Sequence, residues 1–180
     1  VVWTYIVTTL SYSLALTHIA GIDIVTIAVG FVLRGLAGAA AVDVTISNWF
    51  FVVTTFGSLF MITGKRLSEI GERDTEASET RAVLDDYTPA FLRHVLAVSS
   101  GAAILAYVLW AFERAAESSS PFPWFQLSIP PFTTGFLHHA LLLERGHGGA
   151  PEDLAFSDRT LQAVGAAWLA LFALGLATVS

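Results

Sequence analysis

The chain has 180 residues, of which 54% are hydrophobic and only 13% charged, with a mean hydropathy of +0.66. Soluble domains carry about 25% charged residues, so this balance excludes a soluble globular domain and makes the chain an integral membrane protein. The formal charge of −6 sits mainly in loops, no nucleic-acid partner is expected, and the absence of cysteine excludes a disulfide framework, a thiolate metal site and a thiol nucleophile in this chain.

Apolar runs of about 17 to 25 residues, the length that crosses a hydrocarbon core of about 30 Å as a helix, recur along the sequence. They predict an all-α polytopic bundle with six membrane helices near 2–17, 22–42, 46–64, 89–112, 124–143 and 160–179. The first run lacks the short apolar core and small-residue cleavage site of a signal peptide, and the chain opens on Val1-Val2-Trp3 without an initiator Met. It is expected to be the later part of a longer protein. The second run carries a lone cation, Arg34, and a cluster of small residues from Gly35 and Gly38 to Ala41 that lets a neighbouring helix come close. An ionised side chain in hydrocarbon costs about 2.5 to 3.5 kcal/mol even on the mildest scale. Arg34 therefore either snorkels or pairs with a structural acid, or it binds an anionic group of a substrate in a cavity.

The third run stops abruptly at Gly64-Lys65-Arg66-Leu67-Ser68-Glu69. Lys-Arg after a membrane helix is the ordinary cytoplasmic flank, and it is also a phosphate-binding pair. Residues 65–83 contain no Pro and place Arg66, Glu69 and Arg73 at i, i+3 and i+7. A helix continuing past the membrane would set Glu69 between two cations. Asp85-Asp86-Tyr87-Thr88-Pro89 reads as a helix start, with Thr88 as N-cap and Pro89 at the first helical position. Pro121, Pro123, Pro130 and Pro131 cut the beginning of the fifth run, which predicts an interfacial stretch anchored by Trp124 and Phe125 before the span proper. His138-His139 and His147 lack the i, i+4 spacing of a zinc pair. Pro151-Glu152-Asp153 opens a short helical turn, and Glu152, Asp153 and Asp158, beside Arg159, are either solvated caps or hard oxygen ligands for a magnesium-bound diphosphate.

Lys and Arg concentrate in two loops, Lys65, Arg66, Arg73 and Arg81 in one, Arg145 and Arg159 in the other, whereas 113–123 holds only Arg114. Both large loops are expected on the cytoplasmic side of the cell membrane. Parity then puts Val1 and Ser180 outside and asks for an odd number of preceding helices.

The runs Ala28 to Gly38, Ser47-Asn48-Trp49-Phe50, and Phe56 to Met61 leading into Gly64-Lys65-Arg66-Leu67-Ser68-Glu69 resemble the decaprenyl-phosphate phosphoribosyltransferase branch of the UbiA prenyltransferase superfamily. Tyr87-Thr88 with Leu92-Arg93, Leu109 to Arg114, and Pro151-Glu152-Asp153 with Asp158-Arg159 resemble the same branch further along, so the similarity covers nearly the whole chain in order. The resemblance implies the last six of nine membrane helices around a central cavity, with 65–88 as the second of two cytoplasmic active-site loops. The family's first aspartate-rich motif, N-D-x-x-D-x-x-x-D, and most of the metal-binding machinery would precede Val1.

The implied reaction is Mg²⁺-dependent transfer of 5-phosphoribose from phosphoribosyl diphosphate to the phosphate of a polyprenyl lipid, releasing diphosphate, for cell-wall or glycolipid precursors. Such a site needs stabilised charge more than a strong base. Lys65 and Arg66 suit the donor phosphates, and Glu69, with Asp153 or Asp158, suits a metal or a ribose hydroxyl. Arg34 suits the lipid phosphate or the donor 5-phosphate, with the isoprenoid tail leaving sideways between helices.

The chain departs from the superfamily pattern where Tyr12 is followed by Thr17-His18 instead of a lysine, a place His18 would fill in part. Tyr12, His18 and Arg159 complete the expected substrate contacts. A second aspartate-rich motif is replaced by Lys65-Arg66-x-x-Glu69, which favours a donor rich in phosphate over a prenyl donor. The rival readings are a UbiA-type enzyme moving a polyprenyl group onto an aromatic or lipid acceptor, and a non-enzymatic anion transporter lined by Arg34 and Lys65.

Overall fold

A computed structural model describes residues 21–41, 47–73, 87–146 and 151–178, the side chains of 72–73 and 151–153 excepted. The expected first span at 2–17 lies outside them. Among the described residues every regular element is a helix: α1 (Ile22–Ala41), α2 (Asn48–Arg73), α3 (Pro89–Glu117), α4 (Trp124–Leu127), α5 (Ile129–Glu144), α6 (Pro151–Ser157) and α7 (Arg159–Leu176). They form a helical membrane bundle.

Local chemistry sets the helix boundaries. The Thr88 hydroxyl accepts a hydrogen bond from Phe91 N–H at 3.2 Å, and Pro89 follows with the fixed φ and missing N–H that a first helical turn tolerates. Ser47 caps α2 in the same way, its hydroxyl accepting from Phe50 N–H at 3.1 Å. Asp158 begins α7 by accepting from Leu161 N–H at 2.8 Å. Pro130 and Pro131 occupy the first turn of α5, which ends at Arg145 and turns away through Gly146 at φ 73°, a left-handed conformation natural to glycine.

α2 packs lengthwise between α1 and α3, α5 packs along α7, and the short α4 closes one end between α3 and α7. Among the described residues three helices are long and apolar enough to cross a membrane: α1, α3 and α7. The other two expected spans differ for identifiable reasons. α2 starts at Asn48 and runs straight through Gly64 into Lys65–Arg73, so the apolar stretch continues as a polar helix, as expected from its lack of Pro. Residues 124–143 break at Ser128 into a four-residue and a sixteen-residue helix, the latter about 24 Å long and short of a full crossing.

Two clusters hold the bundle together. At one end Ile24, Ala28, Phe60, Leu67, Tyr87, Leu92, Leu96, Leu142, Leu143 and Leu154 form a continuous apolar core from six of the segments. Toward the other end, aromatic rings stack across α3, α4, α5 and α7: Tyr107 on Phe132, Trp110 on Phe125 edge-on, and Trp110 on Phe172. Phe125, expected at an interface, is instead buried here. It sits where Gly175 has no side chain, since a Cβ on Gly175 would come within 2.8 Å of its ring. Exposed apolar side chains such as Leu105, Phe112, Leu137 and Leu169 cover the outer faces, as a hydrocarbon solvent requires.

Candidate functional site at the charged end of the bundle

Four polar side chains meet where α1 begins, α2 leaves the apolar layer and α3 is about to start. Asp23, one residue inside α1, lies with Oδ2 3.4 Å from Nη2 of Arg66. Arg66 Nη1 donates to Glu69 Oε2 at 2.7 Å, one turn further along α2. The Tyr87 hydroxyl donates to Asp23 Oδ1 and accepts the backbone N–H of Gly21. Exposure rises outward along this chain of contacts, the Asp23, Arg66 and Glu69 side chains being 1%, 6% and 25% exposed.

Burial of an isolated charge is prohibitive, and the carboxylates of Asp23 and Glu69 beside Arg66 offset that cost. Burial first, and then the Asp23 carboxylate, pushes the Tyr87 phenol up to about 12. Tyr87 is therefore protonated throughout the physiological range and donates to Asp23.

Lys65, adjacent to Arg66 but on the opposite side of α2, is exposed. Gly64 beneath it lets Leu143 of α5 approach to where a Cβ would stand at 2.8 Å. One turn below, Phe60 forms part of an apolar cavity of about 280 Å³, with Phe132, Phe136, His139, Val164 and Trp168 around it. The cavity wall is almost wholly hydrocarbon and aromatic. His139 is buried and tilted against Phe60, while His138 points to the other side and lies 3.1 Å from Asp158 Oδ1.

No family model matches the chain. A decaprenyl-phosphate phosphoribosyltransferase of Corynebacterium glutamicum is 39% identical to it over 169 residues, which is 94% of this chain and 51% of the relative. A protein of the same name from Mycobacterium tuberculosis is 39% identical over 166 residues, 92% of this chain and 54% of the relative. Another, from Mycolicibacterium smegmatis, is 36% identical over 171 residues, again 92% and 54%. The chain is thus similar over nearly its whole length to decaprenyl-phosphate phosphoribosyltransferases. It spans about half the length of the curated relatives it matches.

The structure sorts the expected site residues into three groups. Arg66 and Glu69 come together, Arg66 facing inward onto Asp23 and Glu69, while Lys65 points outward as an exposed cation. Arg34 stands apart, about 16 Å of helix rise further along α1 than Asp23, exposed on the bundle surface with its guanidinium 5.1 Å from the centre of the Phe31 ring. Asp158 caps α7 and pairs with His138, the cap pulling its carboxyl below the usual range. Arg159 is exposed beside it, Asp153 lies in α6, and Tyr12 and His18 are outside the described residues.

Asp23 and Tyr87 are the members of the cluster that sequence reasoning passed over as site residues. Asp23 was nevertheless visible by the reasoning applied to Arg34, an ionisable residue inside an apolar run. Among the described residues no three acid or histidine side chains converge as a metal site. Asp23 and Glu69 both lie against Arg66.

Proposed function

We propose that the complete protein transfers the 5-phosphoribosyl group of phosphoribosyl diphosphate to decaprenyl phosphate and releases diphosphate, supplying a cell-wall or glycolipid precursor. The observation that carries this reading is identity of 36% to 39% with phosphoribosyltransferases over more than nine-tenths of the chain. A cation, a half-buried carboxylate and an apolar cavity lying within one or two helical turns support it.

In the reaction the bond from the ribose anomeric carbon to the diphosphate oxygen breaks as a lipid phosphate oxygen bonds to that carbon. Lys65 neutralises phosphate oxygens of the donor as a mobile point charge. The Glu69 carboxylate, partly exposed and held by Arg66, accepts a ribose hydroxyl and stabilises positive charge developing on the sugar. The apolar cavity that starts a turn below Lys65 takes isoprenoid units, keeping the lipid phosphate at the charged end. Tyr12, His18 and Arg159 are further donor contacts, and Arg34 is a second anion contact deeper in the layer. Magnesium belongs to the proposal as a requirement of the full-length protein, with Asp153 and Asp158 as weaker oxygen donors. Placement in the cell membrane with Lys65 on the cytoplasmic face also belongs to it.

Full-length protein incubated with radiolabelled phosphoribosyl diphosphate and decaprenyl phosphate is expected to give a labelled lipid and free diphosphate, and to stop when magnesium is chelated. Label entering lipid from polyprenyl diphosphate and an aromatic acceptor instead would mark a prenyl transferase. Lys65→Ala is expected to raise the donor KM. Glu69→Ala is expected to lower kcat by about 10²-fold, the usual cost of removing one preorganised electrostatic group. Unchanged turnover in both variants would remove this site from the mechanism.

A further inference from the structure

Lys65 and Glu69 face the donor in the reading above, but neither explains why a second carboxylate, Asp23, and a phenol, Tyr87, are buried behind them. The four groups Asp23, Arg66, Glu69 and Tyr87 come from α1, α2 and the residue pair preceding α3, so one polar network ties three segments together at a single point. Its inner end is buried. The Asp23 side chain is 1% exposed, one of its oxygens takes the Tyr87 hydroxyl and the other faces Arg66 at 3.4 Å, and Tyr87 is itself anchored by the Gly21 N–H. Its outer end is Glu69, 25% exposed.

A buried ion pair adds little net stability relative to apolar residues of the same volume. What it does supply is direction, because the planar guanidinium presents its N–H groups in a fixed fork. One arm of that fork, Nη1, donates to Glu69, while the other, Nη2, faces Asp23 as an ion pair at 3.4 Å. Removing Asp23 would take away the buried charge that faces one side of this guanidinium, and the Glu69 carboxylate, which shares the helix and reaches Arg66 at i+3, would keep a less fixed heading.

We propose that Asp23 and Tyr87 are positioning residues of the transfer reaction, clamping Arg66 so that it aims the Glu69 carboxylate at the bound donor sugar. The inference rests on the phosphoribosyl-transfer reading and deepens it. Neither residue touches substrate. Both act through Arg66 and Glu69, so their effect belongs in kcat, and it vanishes once Glu69 can no longer use its orientation.

The test uses the full-length protein with phosphoribosyl diphosphate and decaprenyl phosphate. Tyr87→Phe removes one hydroxyl and leaves the Asp23–Arg66 pair in place. It is expected to lower kcat about tenfold, the weight of one hydrogen bond to a charged group, with the donor KM within about twofold of wild type. Added to Glu69→Gln, Tyr87→Phe is expected to cause no further loss. Asp23→Glu, which keeps the charge, is expected to retain several times the activity of Asp23→Asn.

Should Asp23→Asn fail to fold, the Tyr87 and Glu69 cycle decides alone. An active wild type whose kcat is unchanged by Tyr87→Phe, or a Tyr87→Phe loss that persists in full beside Glu69→Gln, overturns this inference and leaves the transfer reading standing. Wild-type protein that consumes no phosphoribosyl diphosphate overturns both.

Discussion

Lys65 and Arg66 are neighbours in sequence with opposite fates. A helix turns about 100° per residue, so when Arg66 faces the core beside Asp23, Lys65 is carried to the exposed side. The pair Lys-Arg at a membrane helix end could be read from the sequence as a flank or as a phosphate site. Which of the two cations faced solvent could not, because that depends on an acid 43 positions away finding the guanidinium.

A different residue-scale consequence concerns Asp158. Its carboxyl is held below the ordinary value chiefly by the Leu161 N–H, with His138 adding to it. A depressed folded-state pKa contributes stability above the unfolded value and loses it as pH falls through the folded one. Thermal midpoints measured in detergent from pH 7 downward should therefore fall less steeply below about pH 4 in Asp158→Asn than in wild type, since asparagine keeps the cap but not the titration. Identical acid limbs would show that Asp158 carries no such linkage.

Among the elements, the boundaries set by local chemistry were legible. Thr88-Pro89, Pro130-Pro131 and Pro151 each start a helix in the structure, because capping hydroxyls and proline act on the turn in which they sit. The continuation of α2 past its apolar part followed from the absence of proline, and the structure carries it to Arg73. Less legible was the meeting of elements. Arg34 and Glu69 belong to adjacent helices, yet α1 and α2 run in opposite directions, so Arg34 departs from the charged end as Glu69 enters it. Periodicity gives the face of a helix and not its height against a neighbour.

The α4–α7 contact was likewise hidden, since nothing near Gly175 signals that Phe125 fills its missing Cβ. Gly175→Ala should destabilise the bundle by about 1 to 3 kcal/mol, the usual cost of overpacking, read as a lowered thermal midpoint. Gly101→Ala, where a Cβ meets nothing within 4 Å, serves as the contrast and should be neutral or slightly stabilising. Equal midpoints for the two variants would contradict the packing of Phe125.

The whole molecule separates its chemistry by height. Arg66, Glu69, Tyr87, Arg93 with Glu144, and His138 with Asp158 lie toward one end, while Trp49 with Glu113, Arg114 with Glu117, and the serines of 118–120 lie at the other. Composition alone established a membrane bundle of helices, because burial in hydrocarbon leaves few other ways to satisfy the backbone. The side that faces the cytoplasm is a proposal with a direct check, helped by the absence of native cysteine in this chain. In full-length protein otherwise free of cysteine, Lys65→Cys should react with an impermeant maleimide in inverted vesicles and Ser119→Cys in right-side-out ones. The reverse pattern would invert the bundle.

The brevity of α5 has a consequence for the lipid around it. A helix of sixteen residues with Leu137 and Leu141 exposed offers the bilayer an apolar surface several ångströms shorter than its hydrocarbon thickness, while α3 beside it runs for twenty-nine. Acyl chains next to an exposed α5 would compress, at a fraction of a kcal/mol for each ångström of mismatch, and would draw the headgroup plane down locally. Under the proposed transfer, a polyprenyl phosphate would meet the protein at a dimple in the membrane, and reconstitution into bilayers of progressively longer acyl chains should slow turnover as that dimple becomes harder to form.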